Sequence, residues 1–62
     1  MSDLNFQVEL SDEQAWALAQ FLKRAGWSEW RSLAVDDEEA RRMREACEQV
    51  RQELTYQGYA PR

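Results

Sequence analysis

A chain of 62 residues makes one domain at most. At this size only about 60% of the unfolded chain's surface is buried on folding, so the core is marginal and a staple is expected. A single cysteine and no histidine exclude an internal disulfide and a Cys/His zinc site, which leaves a second chain as the staple. Twelve acidic residues against eight basic ones, net −4, argue against generic binding to polyanions or anionic membranes.

Seven of the eight basic residues are arginine, which favours planar, stacked or bidentate contacts over simple solvation. No apolar run approaches the length of a membrane span, and the N-terminus lacks a basic-then-apolar signal segment. The expectation is a cytoplasmic chain with Cys47 reduced.

Residues 3 to 10, DLNFQVEL, alternate strictly. Leu4, Phe6, Val8 and Leu10 fall on one side and Asp3, Asn5, Gln7 and Glu9 on the other, the pattern of a half-buried strand. Nothing else reads as a strand. A lone strand leaves its backbone donors and acceptors unpaired. It must pair with a second protomer, pair with another protein, or stay irregular. The first option makes Leu4, Phe6, Val8 and Leu10 the candidate dimer strand.

Ser11 then opens a helix over about 12–25 through a Ser-x-x-Gln capping box with Gln14. Asp12 and Glu13 suit the positive end of its dipole, and Lys23 and Arg24 the last turn. Ala15, Leu18, Ala19, Leu22 and Ala25 form one face, with Phe21 at its edge, and Gly26 is placed to end it. The connector 26–35, GWSEWRSLAV, is too apolar for a solvated loop and predicts a short helix or turn, with Ser28 as its cap.

The strongest signal is the helix expected over about 37–57. Ala40, Met43, Cys47, Val50 and Leu54 recur at spacings of three and four, a helical seam that Ala46 widens. Asp36 and Glu39 make a capping box, and Val35 and Ala40 are placed for a hydrophobic staple. Gly58 suits the left-handed position after the last turn, Tyr59 can fold back on Leu54, and Pro61 bars continuation. The pairs Asp37–Arg41, Glu38–Arg42, Arg41–Glu45 and Arg44–Glu48, at four-residue spacing, mark a solvated outer face.

Little in this pattern points to catalysis or to a bound cofactor. Cys47 lies on the apolar seam with no base beside it, so core packing is its expected role. The carboxylates Asp36 to Glu39 are accounted for by capping and by the helix dipole, and they lack the spacing of a calcium loop. The tryptophans carry more. Trp16 sits on the polar side of its helix, to be covered by another chain or exposed for a partner. Trp27 and Trp30 either fill the small core, the reading we favour, or form an aromatic and cationic cluster with Lys23, Arg24 and Arg31. Trp and Arg are the residues most enriched in binding hot spots and also stack on single-stranded bases. Trp16, Lys23, Arg24, Trp27, Trp30 and Arg31 are therefore the candidate partner-binding residues.

The order strand, helix, turn, long helix, with Gly26-x-Ser28 opening the connector, resembles the ribbon–helix–helix class of dimeric DNA-binding regulators. That resemblance implies a two-chain ribbon whose outward residues, here Asp3, Asn5, Gln7 and Glu9, enter the major groove. Asp3 and Glu9 would face phosphates, and no basic residue precedes Lys23. The wording SDEQAWALAQFLKRAGWSEWRSLAVDDEEA with the ending GYAPR resembles a family of short, uncharacterised proteobacterial proteins, a likeness that implies no activity. In size and charge the chain is similar to small acidic proteins of phages and mobile elements, including inhibitors of host defence nucleases.

The expected protein is a mainly helical β-α-α domain over residues 1–62, a homodimer with a helical hairpin. Its expected function is non-enzymatic protein–protein interaction, as an accessory or inhibitory protein of a bacterial phage or mobile element. The second reading is a ribbon–helix–helix-type regulator.

Overall fold

The computed structural model describes residues 3–61. Met1, Ser2 and Arg62, the ends of the expected domain, lie outside them. Three helices follow one another: α1 (Asp12–Arg24), α2 (Trp27–Leu33) and α3 (Asp37–Tyr56). The long helix α3 packs against both α1 and α2. The molecule measures 34 × 29 × 15 Å.

The caps explain why each helix begins where it does. At α1 the Gln14 amide donates to Ser11 Oγ at 3.1 Å, and the Ser11 amide donates to Gln14 Oε1 at 2.9 Å, the reciprocal box its sequence requires. Asp36 Oδ1 accepts from the Glu39 amide at 2.8 Å and starts α3. The Glu39 carboxylate reaches one residue further back than expected, taking the Val35 amide at 2.9 Å. Val35 is 82% exposed, so the expected staple with Ala40 does not form.

The α1–α2 junction differs from expectation. Gly26 does not end α1 in a left-handed conformation. Its backbone is extended (φ −132°, ψ −175°), and it is the N-cap of α2, its amide donating to Glu29 Oε1 at 2.9 Å. Ser28 therefore lies inside the first turn of α2, with its hydroxyl bonded to the Glu29 carboxylate. The C-terminus of α3 behaves as its residues dictate. Gly58 has φ +104°, the Tyr59 amide donates to the Leu54 carbonyl at 2.8 Å, and the Gly58 amide donates to that of Thr55 at 3.0 Å. This is a Schellman turn, and it lays Tyr59 against the core beside Leu54.

The buried apolar residues are Ala15, Ala19, Leu22, Ala40 and Leu54, with Leu18, Cys47 and Tyr59 packed against them. The two alanines of α1 let α3 approach closely. Along the α3 seam Ala40 and Leu54 are buried, Met43 and Cys47 half-buried, and Val50 is at the edge, 43% exposed. Ala46 is exposed and does not widen the seam.

No strand is present among the described residues. Residues 3–10 carry no regular structure, and Leu4, Phe6, Val8 and Leu10 are all exposed. The expected β-α-α order is corrected to three helices. The physical reason lies in the pattern itself: alternation specifies a face to be buried, but this chain offers no second strand to pair with. Among the described residues no helix is long and apolar enough to cross a membrane.

Two substitutions test the orientation of α3. Leu54→Ala should cost about 2–5 kcal/mol, since it empties the one large buried position of that helix. Glu45, which is exposed, should tolerate alanine within about 0.5 kcal/mol. Denaturant melts of both variants measure this, and a larger loss for Glu45→Ala would require the helix to be rotated. Gly58→Ala should cost about 1–2 kcal/mol through backbone strain alone, because nothing lies within 4 Å of where its Cβ would sit.

Candidate functional site

The six candidate contact residues occupy five separate places. Trp16, 39% exposed, stands edge-on to Tyr59 with ring centroids 5.2 Å apart and planes inclined by 71°. The Tyr59 hydroxyl donates to Asp12 Oδ1 at 2.8 Å. Trp16 is thus covered in part by its own chain. The carboxylate bond holds the Tyr59 phenol above its ordinary pKa, because ionisation would break the bond; partial burial adds to this, and so does the neighbouring negative charge.

Lys23 and Trp30 share a groove of about 380 Å³ with Arg51, Glu48, Leu22 and Pro61. The indole Nε1 of Trp30 is buried without a hydrogen-bond partner. Arg51 donates to both carboxylate oxygens of Glu48, at 3.2 and 2.8 Å. Those bonds hold the Glu48 carboxyl below its usual range, against the opposing effect of desolvation. Arg24 lies apart, in a shallower depression with Ala17, Phe21, Ala25 and Glu29.

Trp27 takes a cation from α3: the Arg44 guanidinium stands 5.9 Å from its ring centre. Arg31 is committed to the α2–α3 corner, bonding Asp37 and donating to the Ala34 carbonyl at 3.2 Å. The expected outer-face pairs are accordingly redistributed. Glu38–Arg42 forms at 2.7 Å. Asp37 takes Arg31 in place of Arg41, and Glu48 takes Arg51 while Arg44 covers Trp27.

Trp27, Trp30, Lys23, Arg24 and Arg31 therefore do not converge. The break at Ala25–Gly26 separates residues that are close in sequence. Arg44, Arg51 and Tyr59 are the partners that sequence reasoning missed. Arg44 and Arg51 carry no signal beyond membership of a charged helix face. Tyr59 was legible as the residue that follows the Schellman glycine, but not as a partner for Trp16, 43 positions away. Cys47 is half-buried against the core. Among the described residues no three His, Cys, Asp or Glu side chains are grouped to hold a metal ion.

The model of a family of unknown function, DUF7706, matches residues 1–62. The chain belongs to this family. No curated protein and no solved structure matches it. Membership accords with the resemblance to short, uncharacterised proteins, and nothing in the match points to the ribbon–helix–helix class.

The Tyr59–Asp12 bond makes a pH prediction. The neutral phenol is favoured by folding, so its contribution is fully present below the ordinary tyrosine value of 10.0 and is lost as pH rises through the raised folded value. Tyr59→Phe should abolish that alkaline loss, which thermal melts between pH 8 and about 11 measure against the parent chain. An unchanged alkaline slope in Tyr59→Phe would remove the bond from the account.

Proposed function

We propose that the chain is a small, non-enzymatic protein-interaction module that uses residues 3–10 as its principal contact. It works as an accessory or inhibitory protein of a bacterial phage or mobile element. The observation that carries this reading is the exposure of four apolar side chains in one alternating segment: Leu4 80%, Phe6 74%, Val8 64% and Leu10 42%. Isolated exposed apolar residues are ordinary, but four at alternate positions of one short segment would share a side wherever a partner draws it out as a strand. The small size and net charge of −4 support the assignment to mobile elements, many of whose accessory proteins are short and acidic.

The position of the thiol also supports a non-enzymatic role: Cys47 packs against the core. The ribbon–helix–helix regulator is the second reading, and the alternation of residues 3–10 is what favours it. Its groove-facing residues would include Asp3 and Glu9, with no cation in the segment to offset the phosphates.

Affinity capture from host lysate, with and without nuclease, separates the two. A protein held by the parent chain, unaffected by nuclease and lost with Phe6→Asp, is the expected result. Phe6 is exposed, so its variant should keep the helical circular dichroism of the parent. In mobility-shift titrations at low salt the protein should show no salt-sensitive binding to duplex DNA. Tight binding that weakens steeply with added salt would establish the regulator instead.

A further inference from the structure

The groove that holds Lys23 and Trp30 lies where the three helices and the C-terminal tail come together. Leu22 and Lys23 of α1, Trp30 of α2, Glu48 and Arg51 of α3, and Pro61 all line it. α1 and α2 both pack on α3 and, among the described residues, not on each other. Two helices that share a support without touching leave a gap between them. None of residues 3–10 lines this groove, so it is separate from the contact segment proposed above. We propose that it binds a small monocarboxylate with a compact apolar body.

Charge sets the first part of that choice. Arg51 donates to both oxygens of Glu48, at 3.2 and 2.8 Å, and these bonds keep the carboxyl ionised. The pair is therefore neutral as a unit. Lys23 is exposed and joins no ion pair among the described residues. Two cations against one carboxylate leave the groove a single positive charge, which one negative charge on a ligand balances. A dianion would set its second charge against Glu48. The lysine ammonium is a point charge on a flexible stem, able to follow a small anion.

Shape and the remaining polar group set the rest. Leu22 and Pro61 offer apolar walls, and about 380 Å³ falls at the lower end of the range of small-molecule sites, about 300–1,000 Å³. The ligand's body is accordingly apolar and compact. Trp30 supplies a donor: its Nε1 is buried without a hydrogen-bond partner, a state that buried N–H groups rarely keep. A carboxylate has two oxygens, one to take the Lys23 ammonium and the other to take this indole N–H. The nitrogen is shielded from water, so the ring must turn slightly to meet the acceptor. No side-chain hydrogen bond holds the indole against that turn.

Titration of the ¹⁵N-labelled chain with benzoate tests the site, read at the indole N–H resonances. The Trp30 signal is the one lost in Trp30→Phe. If that variant loses its helical circular dichroism, the signal is found by elimination from Trp16→Phe and Trp27→Phe, both at half-exposed positions. Benzoate should move the Trp30 resonance saturably, with a dissociation constant on the order of 1 mM, as befits so small a ligand. Benzyl alcohol, which lacks the charge, and inorganic phosphate, which lacks the apolar body, should leave it in place. Lys23→Gln should weaken benzoate binding about tenfold while keeping the parent's fold, because the side chain is exposed. Phe6→Asp should bind benzoate as the parent does, whatever its effect on the capture of a protein partner. A Trp30 resonance that benzoate does not move, or moves without saturation, overturns the site. Equal affinity in Lys23→Gln overturns it too, and so does benzyl alcohol or phosphate acting as strongly as benzoate.

Discussion

The return of the chain at Gly58 is the constraint on which the helical arrangement depends. Without a left-handed residue at that position α3 would end in solvent. With it, Tyr59 is carried back over Leu54 to reach α1, where its ring meets Trp16 and its hydroxyl meets Asp12, 47 positions away in sequence. Connectivity ties α1 to α3 only through α2. The Tyr59 contacts close the opposite end, so α1 is held at both of its termini. Ala15 and Ala19 between those points bring the two helices close enough for Leu22 and Leu54 to share one core.

Such an arrangement has a consequence for burial. Most domains place one layer of structure against another so that each apolar face is covered. Here the thin dimension is 15 Å, and among the described residues no large side chain is fully buried. Trp16, Trp27 and Val50 each keep about two-fifths of their surface in water, and Phe21 keeps 60%. Half-burial of large residues contributes much less than full burial, for which a Leu or Phe side chain gives about 1.5–3 kcal/mol. Much of the apolar surface of these helices therefore stays in contact with water. The local devices compensate at the edges: three capped helix starts, a Schellman turn and a cation over Trp27 each fix the backbone or a ring without needing depth.

Those local devices are also what was legible in the sequence. Ser11 with Gln14, Asp36 with Glu39, and Gly58 with Tyr59 act over three to five residues, so their geometry follows from spacing alone. Helix boundaries came out within one residue or so for the same reason. What was not legible depends on other parts of the chain. The alternation of residues 3–10 states that one side is to be covered, and is silent about what covers it; with no second strand in the chain, the strand does not form. The favoured reading of Trp27 and Trp30 as core fillers does not match the core, which includes neither ring, and the alternative cluster of Lys23, Arg24, Trp27, Trp30 and Arg31 treated neighbours in sequence as neighbours in space. The extended Ala25 and Gly26 turn α2 away from α1; Trp27 is met by Arg44 of α3, and Arg31 bonds Asp37 at the corner before it.

The separation between the helices and the N-terminal segment bears on how the molecule can be used. Its apolar residues are exposed rather than built into the core, so their burial by a partner needs no rearrangement of α1, α2 or α3. Ordering such a segment on binding lowers the affinity obtained per unit of area but allows an extended contact with register-level specificity. The same separation leaves Phe6 open to substitution while the caps and the Leu54 core maintain the fold. In a chain too short for a deep core, stability rests on turns and caps between Ser11 and Tyr59, and the proposed recognition would draw on the residues that precede them.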